Sequence, residues 1–360
     1  MVALVLAASC VDAGIPELPP LPDPQLPADE MVVAIAAGFS STCALVEAGR
    51  AYCWCDNRFG EIGDGTDSVR TSPVPVLQDS LFATIIGTRG TSRTCSITSS
   101  GTAYCWGYNV NGELGDSTLT DAWRPVAVVG EIRFLDIATS YHTCGVALDN
   151  VAYCWAGGVV TPNGLGPRPV PTAVRFKSIT TGLGFTCGLD LAGSAWCWGL
   201  GAMTGTASSP QSTLDTPQAV ATPQHFQSIS AAEEHTCALT AAGVAYCWGK
   251  INGAFAPIDT VPIRLDGLPP LKQVVGGRSQ SCVLTIDGRA YCGDLLGSLA
   301  PQADRLRFAS LSVGLDYACG HTPGGAAYCW SNLGFGYLGD GGTNHPQGAI
   351  VRVIIPSAGP

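Results

Sequence analysis

Fourteen of the sixteen cysteines fall into seven pairs with nine residues inside each: Cys43 and Cys53, Cys95 and Cys105, Cys144 and Cys154, Cys187 and Cys197, Cys237 and Cys247, Cys282 and Cys292, Cys319 and Cys329. Such pairs either hold a metal or close disulfides. Zinc needs four ligands converging on one ion, and each pair supplies two, with no recurring His to complete the set. Disulfides are therefore expected, one per repeat, and that many place the chain in an oxidising compartment. Cys55 replaces the Gly after Trp54 and leaves an odd thiol, expected to be a small buried or semi-buried residue, with an intermolecular disulfide as the alternative.

Other residues capable of chemistry are sparse. Of five His, His142 and His235 share one repeat position, two residues before a paired Cys, where other repeats have Ser41, Arg93, Phe185, Gln280 and Tyr317. A general acid or base is expected to be unique and partnered, so these fit a variable strand position instead. Glu233 and Glu234 form the carboxylate cluster beside His235, read as a solvated turn rather than a glycosidase pair. Asp64, Asp116 and Asp340 sit in Gly-Asp turns without the Asp-x-Asp-x-Asp ladder that calcium takes. Gly334-Phe-Gly-Tyr-Leu-Gly339 fits a dinucleotide-loop pattern, but no helix pattern follows and the repeat accounts for it. Trp54, Trp106, Trp155, Trp198, Trp248 and Trp330 each follow a paired Cys, which favours packing between repeats over a carbohydrate platform. The reading is of a protein without catalytic residues, metal or cofactor.

The elements that position the cysteines are hairpins. Within each pair a three-residue loop ends at Gly49, Gly101, Asn150, Gly193, Gly243, Gly288 or Gly325. That position of such a loop takes a left-handed backbone, which Gly tolerates best and Asn next. Pairing Thr240 with Val244 across the turn then sets Cys237 opposite Cys247 at a non-hydrogen-bonded site, where Cα atoms are roughly 4.5 Å apart and within disulfide reach. Upstream of each hairpin runs an alternating strand such as Phe134-Leu-Asp-Ile or Phe226-Gln-Ser-Ile, and further upstream a Pro-led strand such as Pro125-Val-Ala-Val or Pro262-Ile-Arg-Leu. Proline cannot donate to a neighbour, so these are edge strands. Four strands per repeat and seven repeats predict an all-β, seven-bladed propeller of antiparallel blades, closed by the C-terminal strand 349–355 pairing with the first blade.

Composition agrees. Charged residues make up only 13% while Gly reaches 45 and Pro 25, a mixture of strands and turns. The formal charge of -10 and the lack of a basic run argue against nucleic acid as a partner. Residues 1–9 form a short apolar run like a signal-peptide remnant, and Leu6-Ala7-Ala8-Ser9-Cys10 resembles a lipobox, which makes Cys10 the candidate for lipidation and such an anchor the one expected link to a membrane. Residues 10–30, rich in Pro, Asp and Glu, read as a semi-rigid linker; the propeller is assigned to 31–356 and a tail to 357–360.

The repeat consensus, seen in His235-Thr-Cys-Ala-Leu-Thr, Gly243-Val-Ala-Tyr-Cys-Trp-Gly249 and Trp106-Gly-Tyr-Asn-Val-Asn-Gly-Glu-Leu-Gly-Asp116, resembles the regulator of chromosome condensation repeat family over about residues 31–356. The resemblance implies the same propeller. It is closer to the Cys-rich members of bacterial envelopes than to the nuclear branch, which makes guanine-nucleotide exchange the outlying alternative. The sixth repeat departs from the pattern with Gly293 in place of Trp and a short loop after it, predicting a thinner or more mobile blade. Function is expected where blades differ: the segments before each first Cys, with Arg93, Tyr141, His142, Phe185, Glu233, Glu234, His235, Arg278, Gln280, Asp316 and Tyr317, form the candidate binding face. The expectation is a monomeric, exported module of the bacterial envelope that binds a protein. The alternatives are a secreted inhibitor of the β-lactamase-inhibitor kind and an envelope hydrolase.

Overall fold

The computed structural model describes residues 19–88, 90–156, 165–251, 257–277, 280–297, 299–331 and 338–357. Among these residues, twenty-eight strands form seven four-stranded antiparallel sheets, the blades of a propeller. Chain order within a blade runs inner strand, two hairpin strands, outer strand. The inner strands are Val32–Ala37, Ile86–Gly87, Phe134–Thr139, Phe176–Thr181, Phe226–Ala231, Leu271–Gly276 and Ser310–Val313. Six outer strands contain a proline (Arg70–Pro75, Ala122–Ala127, Arg168–Pro169, Thr213–Ala219, Asp259–Arg264 and Leu299–Gln302), as befits an edge whose donors have no sheet partner.

Each hairpin has the expected register. The seven cysteine pairs lie directly opposite one another, bonded, with Cα atoms 4.1 Å apart. The loop residue that ends each turn has positive φ, from 65° at Asn150 to 91° at Gly193. Turn chemistry fixes which residues face each other, and that alignment brings the sulfurs together.

Between blades, the buried Trp is the main packing unit. Trp155 of blade three enters one core with Cys95, Cys105 and Leu114 of blade two. Its indole Nε1 donates to the Glu113 carbonyl at 2.9 Å, as Trp106 does to Glu61. Gly115 lies so close that a Cβ would stand 2.6 Å from that nitrogen, and its φ of +68° further favours glycine. At the joint of blades five and six, where Gly293 replaces Trp, the core is filled instead by Leu265, Leu271 and Leu295. Blade six still has four strands, so the predicted thinning is not found, because Leu295 from the loop supplies the missing apolar bulk.

Closure corrects the sequence expectation. The C-terminal strand Ile350–Arg352 pairs with Ala327–Ser331 of blade seven, not with the first blade. Blade one is complete from its own residues because the Pro-bearing strand Arg70–Pro75 follows its hairpin; Pro-bearing strands end blades rather than precede them. The ring closes by lateral contact. Ala37 donates from its backbone to Ser312 Oγ at 2.8 Å, and the Tyr317 hydroxyl donates to the Ser41 carbonyl and accepts from Thr42 Oγ1, both at 2.8 Å.

The Pro-rich segment helps at this seam. Its described part, from residue 19, does not stand free as a stalk. Leu21 N donates to the Arg305 carbonyl, Asp23 accepts from Thr322 Oγ1 and Gly324 N, and Val32 N donates to the Gly325 carbonyl. It straps the first blade to the last.

Candidate functional site

The position two residues before the first Cys is an inter-blade joint in four blades. His142 Nε2 meets Thr186 Oγ1 of blade four at 2.6 Å, and His235 Nε2 meets Ser281 Oγ of blade six at 3.2 Å. The Tyr317 hydroxyl reaches Thr42 in the same way, so three different side chains find the hydroxyl that precedes the next blade's first Cys. Arg93 donates through Nη2 to the Ser140 carbonyl of blade three and to Thr91 Oγ1, and its Nη1 lies 3.6 Å from Glu113 Oε1. Phe185 covers Gly182, where no side chain would fit.

Burial corrects the candidate binding face. Arg93, His142, Phe185, Glu233 and His235 are buried, because they fill the wedges between blades instead of facing solvent. Tyr141, Glu234, Gln280, Asp316 and Tyr317 are half-buried. Arg278 and Cys10 lie outside the described residues, as do four positions of the 334–339 glycine pattern. The turns do gather at one mouth of the ring: the Tyr141 hydroxyl of blade three donates to Glu233 Oε1 of blade five at 2.8 Å, bridging over blade four. Glu233 is thus no solvated turn residue, whereas Glu234 pairs with Lys250 at 2.6 Å.

The electrostatics fit joints rather than reagents. Burial, with Arg93 adding to it, pulls His142 down to about 3, so the imidazole is neutral at any physiological pH. Burial likewise draws Arg93 down to about 10, and the Glu113 carboxylate opposes that shift. Cys55 is buried, its thiol pushed far up by desolvation and hydrogen-bonded to Thr42, hence inert as a nucleophile. Asp64 is desolvated, but hydrogen bonds from Thr66 and Arg70 outweigh that and hold its carboxyl below the ordinary range. Those bonds and one from Asn57 close a turn, as expected of the Gly-Asp loops. The six repeated tryptophans are at most 1% exposed, which makes them packing and leaves them no platform role.

Sequence reasoning missed the ties between inner strands. Asp136 Oδ2 accepts from Ile179 N at 2.9 Å, Thr180 Oγ1 from Ala231 N at 2.9 Å and Gln273 Oε1 from Leu311 N at 2.8 Å, each linking one blade to the next. No local pattern marks them, because the donor belongs to a strand some forty residues away in the chain. Burial pushes Asp136 up to about 6. A carboxyl whose folded value is raised adds stability that is fully present below its ordinary value near 4 and is lost as pH rises through about 6. Between pH 7 and pH 4, Asp136 should therefore add about 2 kcal/mol to unfolding free energy. Asp136→Asn, which keeps the acceptor, should remove that rise and be the more stable form at pH 7; denaturant titrations of both proteins at the two pH values check it.

Also missed was Trp123, which is 48% exposed on the outer strand of blade two. It lines an open crevice of about 480 Å³ with Gly65, Asp116, Thr118, Thr120, Asp121 and Arg124. A Trp after the Cys marks packing in every good repeat, but Trp123 has no such position to distinguish it.

Comparison with known proteins follows the fold. A family model for the regulator of chromosome condensation (RCC1) repeat matches residues 32–61, the first blade's inner strand and hairpin with the start of the loop after them. Human HERC4, a probable E3 ubiquitin-protein ligase, is 30% identical over 27% of this chain and 9% of its own length. The ultraviolet-B receptor UVR8 of Arabidopsis thaliana is 29% identical over 38% of this chain and 32% of its own. The chain thus matches less than a third of the length of either relative. Yeast RCC1 (Prp20), solved with Kap60 bound, superposes with a TM-score of 0.68 at 18% identity, covering 79% of this chain and 78% of that one. That repeat motif is matched in the first blade and the same Cys hairpin recurs in all seven, so the chain is similar in repeat and fold to proteins of the regulator of chromosome condensation type.

Proposed function

We propose that the chain is a non-catalytic, protein-binding propeller of the bacterial cell envelope. The observation that carries this reading is the fate of its titratable side chains: His142, His235, Arg93 and Glu233 are spent on holding blades together. An acid or base committed to a buried joint has no path to a substrate. What varies outside these joints is a set of loops on a rigid frame, the arrangement by which propellers present surfaces to other proteins. The Kap60 complex of yeast RCC1 supplies a precedent within the fold.

The compartment rests on the disulfides, which persist where thiols are not kept reduced. Among the described residues no helix is long and apolar enough to cross a membrane. The lipobox-like segment ending at Cys10 supplies the proposed attachment. Immobilised oxidised full-length chain, exposed to envelope extract and cross-linked, should retain a stoichiometric protein that a reduced, unfolded bait does not. Turnover of peptidoglycan fragments or peptides by the purified chain, with no partner retained, would replace this reading with a hydrolase.

A further inference from the structure

We infer that the crevice at Trp123 is the anchor point for a lysine- or arginine-bearing segment of the partner protein. The inference rests on the protein-binding reading and names the chemistry of the bound surface.

Trp123 is held from behind and open in front. Its backbone carbonyl accepts from Gly65 N at 2.8 Å, and Gly60 lies so close beneath it that a Cβ there would stand 2.3 Å from the indole Cδ1. Both glycines belong to the loop of blade one, so the neighbouring blade fixes the indole of blade two in place. Even so, nearly half of the side chain stays exposed. A pre-positioned aromatic loses little freedom on binding, which is what makes tryptophan a frequent energetic centre of interfaces.

Packing does not require an indole here. One repeat later the same relation recurs between Gly112 and Leu165, where a Cβ on the glycine would be 2.8 Å from the leucine Cδ2. A leucine therefore suffices for the fold at this position. The tryptophan's surplus is its exposed indole.

The ligand class follows from charge. Two carboxylates, Asp116 and Asp121, line the crevice with Trp123. Asp121 Oδ1 accepts from Asn109 N at 2.7 Å, and among the described residues its Oδ2 has no donor. Asp116 is braced by Thr118 and Asn109. Among the described residues the crevice holds one cation, Arg124, whose guanidinium lies over Gly65, on the side of blade one. An indole face flanked by two carboxylates is the setting in which a cation stacks on the ring while its charge is met by the acids. The net charge of -10 draws a basic partner toward the molecule as a whole.

The test is titration of the full, oxidised chain with a short arginine- and glycine-containing peptide, followed by tryptophan fluorescence and calorimetry at two salt concentrations. Binding should weaken about tenfold in Trp123→Leu and in Asp121→Asn, with thermal midpoints unchanged from the parent. Equal affinity of parent and Trp123→Leu would show attraction by bulk charge alone and overturn the inference. So would failure of the parent to bind, or saturation of the same indole by a neutral oligosaccharide and not by the peptide. Retention of the cross-linked envelope partner by Trp123→Leu at undiminished affinity would reject this site while leaving the protein-binding reading intact.

Discussion

Reduction of the seven disulfides is expected to cost the ring more stability than any single substitution. Each bond closes a loop of about ten residues, and the loss of chain entropy from the unfolded state corresponds to roughly 2 to 3 kcal/mol per bond. Seven local clasps do not add in full, since each hairpin also has its turn and ladder, but even two or three such increments are comparable to the whole stability of a typical domain. The paired replacement of Cys237 and Cys247 by Ala should thus lower the unfolding free energy by about 2 to 3 kcal/mol. Complete reduction with dithiothreitol should bring the unfolding midpoint down far more, followed by circular dichroism in guanidinium. Mass mapping supplies the control. Without reductant, alkylation should spare the fourteen paired cysteines even in denaturant, whereas Cys55, buried in the first blade, should label only on unfolding. Alkylation of paired positions in the native, unreduced protein would contradict the structure.

The second large effect is expected at Arg93 and Glu113. Both side chains are shut off from solvent, at 0% and 1% exposure, and their closest approach is 3.6 Å. Removing the carboxylate alone, in Glu113→Leu, strands a guanidinium inside the joint of blades two and three and should cost about 3 to 5 kcal/mol. Replacing both, as Arg93→Met with Glu113→Leu, removes the desolvation penalty together with the attraction, and should recover most of that loss. The double-mutant cycle, read by guanidinium melts with disulfides intact, gives the coupling directly. A Glu113→Leu protein as stable as the parent would show that Arg93 is sustained by its bonds to Thr91 and the Ser140 carbonyl alone.

What the sequence disclosed and what it concealed divide along a physical line. The hairpins were legible because their determinants are local: nine residues between cysteines, and a glycine or Asn150 where φ must be positive. The role of Trp155 was legible through repetition, since a residue that recurs in nearly every blade is tied to the framework. Joints were not legible. His142 looks like an exposed variable residue until Thr186, forty-four residues on, is seen to receive it. Closure was misjudged for a related reason. The same Pro-bearing strand can be counted as the start of one repeat or the end of the previous one, and only the pairing of Cys53 with Val74 decides between them. Trp123 escaped notice because exposure is a property of the assembled loops, not of the residue type.

That each blade is finished by consecutive residues has a further meaning for biosynthesis. As the chain emerges, every sheet can be completed from residues already delivered, and each thiol finds its mate ten positions away before the next pair arrives. Oxidation then needs no choice among distant sulfurs, so the mispaired states that burden many cysteine-rich proteins need seldom be visited. Only the meeting of first and last blades must wait for the seventh sheet, and a product cut short before it would be a row of well-made units with an open flank.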